Sequence, residues 1–163
     1  MTNSEVKRYF KEYILPPRGF IYNDIQREIS LARSGNAGGN FLSALGLLCY
    51  TEFLGKMFLQ GRYSSNKQCF NAFFRSMGAN YAQLINANNV NIYRKFRCGM
   101  THAYFVGDCD IKMLDNNYQA GIVIKPDGKY FFVVEKYFED FMNACQQLYN
   151  RMITEQNPHL PST

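Results

Sequence analysis

The side chains best suited to chemistry lie in one short run, Arg97-x4-His102-x-Tyr104. An arginine carries a permanent charge and can donate two parallel hydrogen bonds to phosphate oxygens. A histidine titrates near neutral pH and can therefore take up or release a proton. A tyrosine adds a phenol that can hold a substrate or be modified. Together these groups are suited to a phosphodiester.

The run falls in a segment that the hydrophobic spacing predicts to be a helix, at about residues 90–104. Its apolar stripe comprises Ile92, Phe96, Gly99, Met100 and Ala103, and its polar arc comprises Arg94, Arg97, Cys98, Thr101 and His102. On an ideal α-helix, Arg97 and His102 are about 140° apart, so one chain presents them awkwardly to a single phosphate. Two copies facing each other could supply complementary groups.

The positive charge of the chain is concentrated around this run. The chain has 18 Lys and Arg against 13 Asp and Glu, a net charge of +5. Between Phe53 and Gly107 there is no acidic residue, and the seven basic residues there are Lys56, Arg62, Lys67, Arg75, Arg94, Lys95 and Arg97. Such a stretch indicates a phosphate-facing surface. Chance clustering on a solvated surface is the alternative.

The remaining elements predict a mainly α fold, an antiparallel helical bundle with one β-hairpin before the last helix. We expect one domain over residues 1–155 and a flexible tail over 156–163. The hairpin is expected at about 118–135, around Pro126-Asp127-Gly128. The other predicted helices cover residues 4–15, 21–32, 41–59 with Asn40 as cap, 66–85 and 137–153.

The segment 41–59 is long and apolar enough to raise the question of a membrane span. Glu52 and Lys56 form a favourable i,i+4 pair within it, which favours a buried central helix instead. The N-terminus does not look like a secretory signal, and the five cysteines are odd in number and unpatterned. We therefore expect free thiols and a cytoplasmic protein without membrane contact.

The run Arg97-Cys98-Gly99-Met100-Thr101-His102 fits the Arg-x4–6-His signature and resembles the HEPN domain family. With Ala103-Tyr104 it becomes Arg-x4-His-x-Tyr, which looks like the toxin half of HEPN–nucleotidyltransferase toxin–antitoxin pairs. The helix order over about residues 1–107, with the last helix, resembles the bundle of that family. The hairpin departs from the minimal toxins.

The resemblance implies a metal-independent endoribonuclease that works as a homodimer without a cofactor and leaves 2′,3′-cyclic phosphate ends. His102 would exchange protons, and Arg97 would hold the scissile phosphate. Tyr104, with Arg94, Lys95 and Thr101, would bind substrate or accept a modification. The implied partners are RNA, a second copy and a nucleotidyltransferase-type antitoxin.

Each of these residues also has a structural interpretation. Arg97 could pair with an acid such as Glu52, His102 could end its helix, and Tyr104 could be a core aromatic. The protein would then be a non-catalytic interaction or nucleic-acid-binding module. A zinc site is a further alternative, built from Cys98, His102, Cys109 and Asp108 or Asp110.

Overall fold

The computed structural model describes residues 2–36, 38–59, 64–87, 91–103, 109–115 and 117–156. The chain is mainly helical with a small three-stranded sheet, which confirms the predicted fold class. The α-helices are α1 (Asn3–Tyr9), α2 (Phe20–Arg33), α3 (Asn40–Phe58), α4 (Asn66–Ser76), α5 (Ala79–Asn86), α6 (Gly99–Ala103) and α7 (Val134–Gln156). Two π-helical segments, π1 (Phe10–Ile14) and π2 (Tyr93–Cys98), precede α2 and α6, and the strands are β1 (Cys109–Lys112), β2 (Ile122–Ile124) and β3 (Tyr130–Val133).

The first helical unit, α1 with π1, shows how its buried stripe is selected. Val6, Phe10 and Ile14 are fully buried at intervals of four residues. On a regular α-helix Tyr13, three residues after Phe10, would share this inward face, but it is 43% exposed. The reason is the wider π-helical turn, in which the Leu15 N–H donates to the Phe10 carbonyl, five residues earlier, rather than to the residue four earlier.

Helix α3 lies at the centre of the bundle and contacts α2, α4, α7, β1 and π2. It is long and apolar enough to cross a membrane by length and composition alone, with a mean hydropathy of 1.3. A core helix passes the same test, and α3 buries residues such as Ala44, Leu47, Leu48 and Leu54 in the core of the fold. At Gly55 an added Cβ would lie 1.9 Å from the Cys69 carbonyl oxygen, so only glycine lets α4 approach this closely.

Two predicted boundaries are wrong for backbone reasons. Asn40 is the first residue of α3, and Gly39, with φ of 73°, is its N-cap. The predicted helix 66–85 is two helices, because Gly78, with φ of 139°, leaves the helical region between α4 and α5. Ser65 is the N-cap of α4 and forms a capping box with Gln68.

The sheet is larger than the predicted hairpin. Strands β2 and β3 form the antiparallel hairpin, but β1 also pairs with β3, in parallel, so β3 is central. Strand β1 was not predicted, since the alternation of Cys109, Asp110, Ile111 and Lys112 extends over four residues only and is too short to distinguish a strand from a turn. The second strand of the hairpin, expected to reach residue 135, ends at Val133, and α7 begins at the next residue, Val134.

The buried apolar side chains from α1 through α7 and the sheet form one continuous core. The helical spacing of apolar residues in 66–85 and 137–153 predicts inward stripes, and most of their members are buried: Phe70, Phe73, Phe74, Met77, Tyr81, Phe138, Phe141, Cys145 and Leu148. The remaining members are only partly buried against the core: Leu84, Met142, Tyr149 and Met152. All five cysteines are free thiols. The predicted tail, apart from Gln156 at the end of α7, lies outside the described residues.

Candidate functional site around Arg97

The motif lies on two consecutive helical segments of different pitch. Residues Tyr93–Cys98 form π2, and Gly99–Ala103 form α6. The Gly99 N–H donates to the Arg94 carbonyl oxygen, five residues earlier, where the π-helical pattern ends. Ile92, Phe96 and Met100 are buried, which confirms three positions of the predicted apolar stripe. Gly99 is half-buried, and the side chain of Ala103 is not among those that the structure describes. The opposite side of this helix therefore carries the polar residues.

Glu52 is the partner of Arg97. The Arg97 Nε and the Glu52 Oε2 are 2.7 Å apart, and the two side chains are 20% and 9% exposed. The Nε–H bond is not directed at an acceptor oxygen. The contact with Glu52 is therefore a close ion pair rather than a well-aligned hydrogen bond. A buried carboxylate needs such a partner, because removing its charge from water is costly. The pairing that the sequence left open is present.

Thr101 holds the other side of the guanidinium. Its hydroxyl accepts from the Arg97 Nη1 at 2.8 Å and donates to the Arg97 carbonyl oxygen at 2.6 Å. Among the described residues no further acceptor contacts the guanidinium. Since arginine has five N–H donors, several have no acceptor within the part of the chain that the structure describes. The Arg97 side chain is thus fixed in orientation, although not all of its N–H donors are engaged by the described residues.

Tyr93 and Cys49 complete the surroundings of this ion pair. The Tyr93 hydroxyl donates to the Glu52 Oε2 at 3.3 Å. Burial, reinforced by the negative charge of Glu52, raises the pKa of Tyr93 to about 12. Burial also raises the pKa of the Cys49 thiol, and the nearby Arg97 charge offsets part of that rise. Both groups are therefore protonated at neutral pH.

The other predicted site residues are placed differently. His102 is exposed to solvent on α6, and Arg94 is exposed on π2. Lys95 is directed to the sheet, with its Nζ 4.1 Å from the centre of the Tyr130 ring. Tyr104 lies outside the described residues. The structure thus brings Arg97 and Thr101 together and leaves His102 on the surface.

Tyr93 was not among the predicted site residues. It lies four residues before Arg97, and it reaches the same Glu52 oxygen because both side chains face α3. That i,i+4 spacing was the available signal, but a tyrosine at this spacing is common in helices. Cys49 has no such signal, because its proximity to Arg97 arises only from packing.

The zinc alternative finds no geometric support. In the described part of the chain, no three or more His, Cys, Asp or Glu side chains are grouped closely enough to hold a metal ion. Cys98, His102, Cys109 and Asp110 all belong to that part, and Asp108 lies outside it.

Comparison with known proteins does not assign this arrangement to a family. The chain matches no protein-family model, no curated protein and no solved structure.

Proposed function

We propose that the protein is a metal-independent endoribonuclease of the HEPN type, toxin or defence-related, that acts in the cytoplasm as a homodimer. The observation that carries the proposal is the Arg97 guanidinium, which is held by Glu52 and Thr101 while part of it stays open to solvent. A pre-oriented guanidinium loses little freedom when a phosphate binds, and it stabilises charge that develops on the phosphate.

His102 supplies the proton transfer in this proposal. It is exposed on α6, five residues after Arg97, where a bound RNA could reach its ring. In the proposed step the imidazole takes the proton of the ribose 2′-OH as that oxygen attacks phosphorus. The bond to the leaving 5′-oxygen breaks, and a second histidine donates the proton to it. The product is a 2′,3′-cyclic phosphate.

A second copy of the chain would supply that second histidine. The exposed apolar side chains of α3 support such a contact near the site: Phe53 is 39% exposed and follows Glu52 directly. Cys49, one turn earlier on α3, is close enough to Arg97 for the guanidinium charge to affect its thiol. Exposed apolar side chains on the helix that carries Glu52 are suited to a two-fold contact between copies. Tyr104 is the proposed site for modification by a nucleotidyltransferase-type antitoxin.

Cleavage of total RNA and tRNA by EDTA-treated protein tests the proposal. We expect fragments with 2′,3′-cyclic phosphate ends from the wild type and none from His102→Ala. The matched control is His159→Ala, which removes the other histidine of the chain and should cut normally. Cutting by His102→Ala, or no cutting by the wild type, would contradict the assignment.

The Glu52–Arg97 ion pair favours a second candidate, a non-catalytic interaction module. In that case the pair connects α3 to π2 and serves stability alone. Substitution of Arg97 would then lower the melting temperature or weaken self-association, and the wild type would leave RNA intact. Binding of RNA without product, with a steep salt dependence, would identify a nucleic-acid-binding module.

A further inference from the structure

The two edge strands of the sheet, β1 and β2, differ in how well they are protected against pairing with a further strand. At the β1 edge, Asn40 of α3 donates to the Ile111 carbonyl oxygen at 3.4 Å, and the charged Asp110 and Lys112 project from the strand. Charges and a covering side chain are the usual means of preventing an edge strand from pairing further. At the β2 edge, Ile124 is 42% exposed and no charged residue lies within the strand.

The register determines which backbone groups of β2 face outward. The Val133 N–H donates to the Gly121 carbonyl oxygen, and the Lys125 N–H donates to the Lys129 carbonyl oxygen, both at 2.8 Å. Hydrogen-bonded pairs alternate along an antiparallel ladder, so Val123 also points its backbone groups at β3. The N–H and C=O groups of Ile122 and Ile124 consequently point away from β3. In the described part of the chain they have no strand partner.

A groove follows this edge between β2 and α5. Its volume is about 430 Å³, which is within the range of ligand sites. The apolar part of its lining includes Leu84, Ile122 and Ile124, and three amide side chains, Asn80, Gln83 and Gln119, stand beside them. No charged side chain lines it among the described residues. The groove thus offers main-chain hydrogen bonds, apolar contacts and amide groups together.

We propose that this groove binds an extended, uncharged peptide segment of another protein, which adds a strand beside β2. The outward backbone groups of Ile122 and Ile124 require a partner with an extended backbone, since only a strand presents matching groups at that spacing. Because the lining is uncharged, a charged side chain of the peptide that faced the groove would lose hydration without gaining a partner. We therefore expect the peptide positions that face the groove to be uncharged. Apolar side chains at alternate positions fill the space beside Leu84. This binding is independent of the proposed ribonuclease.

The test uses a fluorescent derivative of the peptide acetyl-Thr-Ile-Thr-Ile-Thr-amide and the full chain. We expect saturable binding by fluorescence anisotropy, and NMR shifts and slower amide exchange at Ile122 and Ile124. The same peptide methylated at every backbone nitrogen cannot pair as a strand, and we expect it to bind at least about tenfold more weakly. Equal binding of the two peptides, or no saturable binding of the first, overturns the proposal.

Ile124→Pro removes one outward N–H without removing a bond to β3, since proline is tolerated where an edge strand faces solvent. We expect binding to weaken by about tenfold or more, while the matched Ile124→Val binds as the wild type does. Binding unchanged by Ile124→Pro overturns the proposal. A wild-type dimer that Ile124→Pro converts to a monomer also overturns it, because the edge would then serve a second copy. If the proline variant does not fold, the methylated peptide decides the question.

Discussion

Two polar clusters within the bundle differ in how completely they use their hydrogen-bonding groups. In the first, which we call the Tyr81 cluster, the Tyr81 hydroxyl donates to the Asp140 Oδ2 at 2.7 Å and accepts from the Gly121 N–H at 2.8 Å. Lys136 pairs with the other carboxylate oxygen of Asp140, at 2.9 Å. Burial and the Asp140 charge raise the pKa of Tyr81 far above its usual value.

The second, the Arg97 cluster, consists of Glu52, Tyr93, Arg97 and Thr101. Its ion pair is close but not well aligned, and its guanidinium is partly open to solvent. A fully satisfied network stabilises and orders a fold, whereas unused donors are available to a ligand. The two clusters are therefore suited to different roles. The Tyr81 cluster connects α5, the residue that precedes β2, and α7, and the Arg97 cluster is the better candidate for binding.

The largest effect on stability is expected from Glu52→Ala, which leaves the Arg97 charge partly buried without its partner. We expect a loss of about 2–3 kcal/mol in the free energy of unfolding, somewhat less than for a fully buried pair because Arg97 is 20% exposed. Urea denaturation followed by circular dichroism measures it. The double variant Glu52→Ala/Arg97→Met should recover most of the loss. No recovery would mean that the ion pair is not what Glu52 contributes.

Tyr81→Phe is expected to have the next largest effect. It keeps the ring and leaves the Gly121 N–H and one Asp140 oxygen without their partner, at a cost of about 1–2 kcal/mol. Tyr93→Phe is the matched control in the Arg97 cluster, since its hydroxyl makes a longer bond of 3.3 Å. We expect a smaller loss there by the same denaturation measurement. Equal losses would remove the distinction between the two clusters.

The effect that is smallest at neutral pH, because it appears only at alkaline pH, is the contribution of Tyr93 titration to alkaline unfolding. Its pKa is about 12 in the folded chain and about 10 in an unfolded one. Below pH 10 both states keep the proton, so stability does not change with pH through this group. As the pH rises from about 10 through 12, the unfolded state releases the proton first and stability falls. Tyr93→Phe should have a shallower loss in that window, measured by denaturation at a series of pH values. An unchanged slope would contradict the shifted pKa.

Much of the helical framework could be predicted from the sequence. The stripe of Ile92, Phe96 and Met100 is buried as its spacing indicated, and the buried positions of α4 and α7 follow the same rule. Such periodicity is local, because it depends only on residues one turn apart. The candidate site was found in part for the same reason. The motif residues lie in one run. From the sequence, Arg97 could be interpreted either as a phosphate-binding residue or as the partner of an acid such as Glu52.

The features that were missed depend on contacts between distant parts of the chain. The parallel pairing of β1 with β3 joins segments on either side of the hairpin turn, and neither strand alone indicates its partner. The π-helical geometry of π2 was not predicted, since the spacing of its apolar residues also fits an α-helix. A contact between distant segments also involves π2. The Phe96 ring packs against Tyr130 and Phe132 of β3, with centroid distances of 5.2 and 6.3 Å.

The sequence by itself therefore determined the helical class, the inward faces and the position of the motif, because these follow from local spacing and side-chain chemistry. Only the tertiary structure decided that Glu52 and Thr101 hold Arg97, that Tyr93 joins them, and that His102 stays on the surface. It also decided that the β1 edge is covered while the β2 edge faces a groove. The physical reason is that partners from separate helices and strands meet only when the whole core is packed.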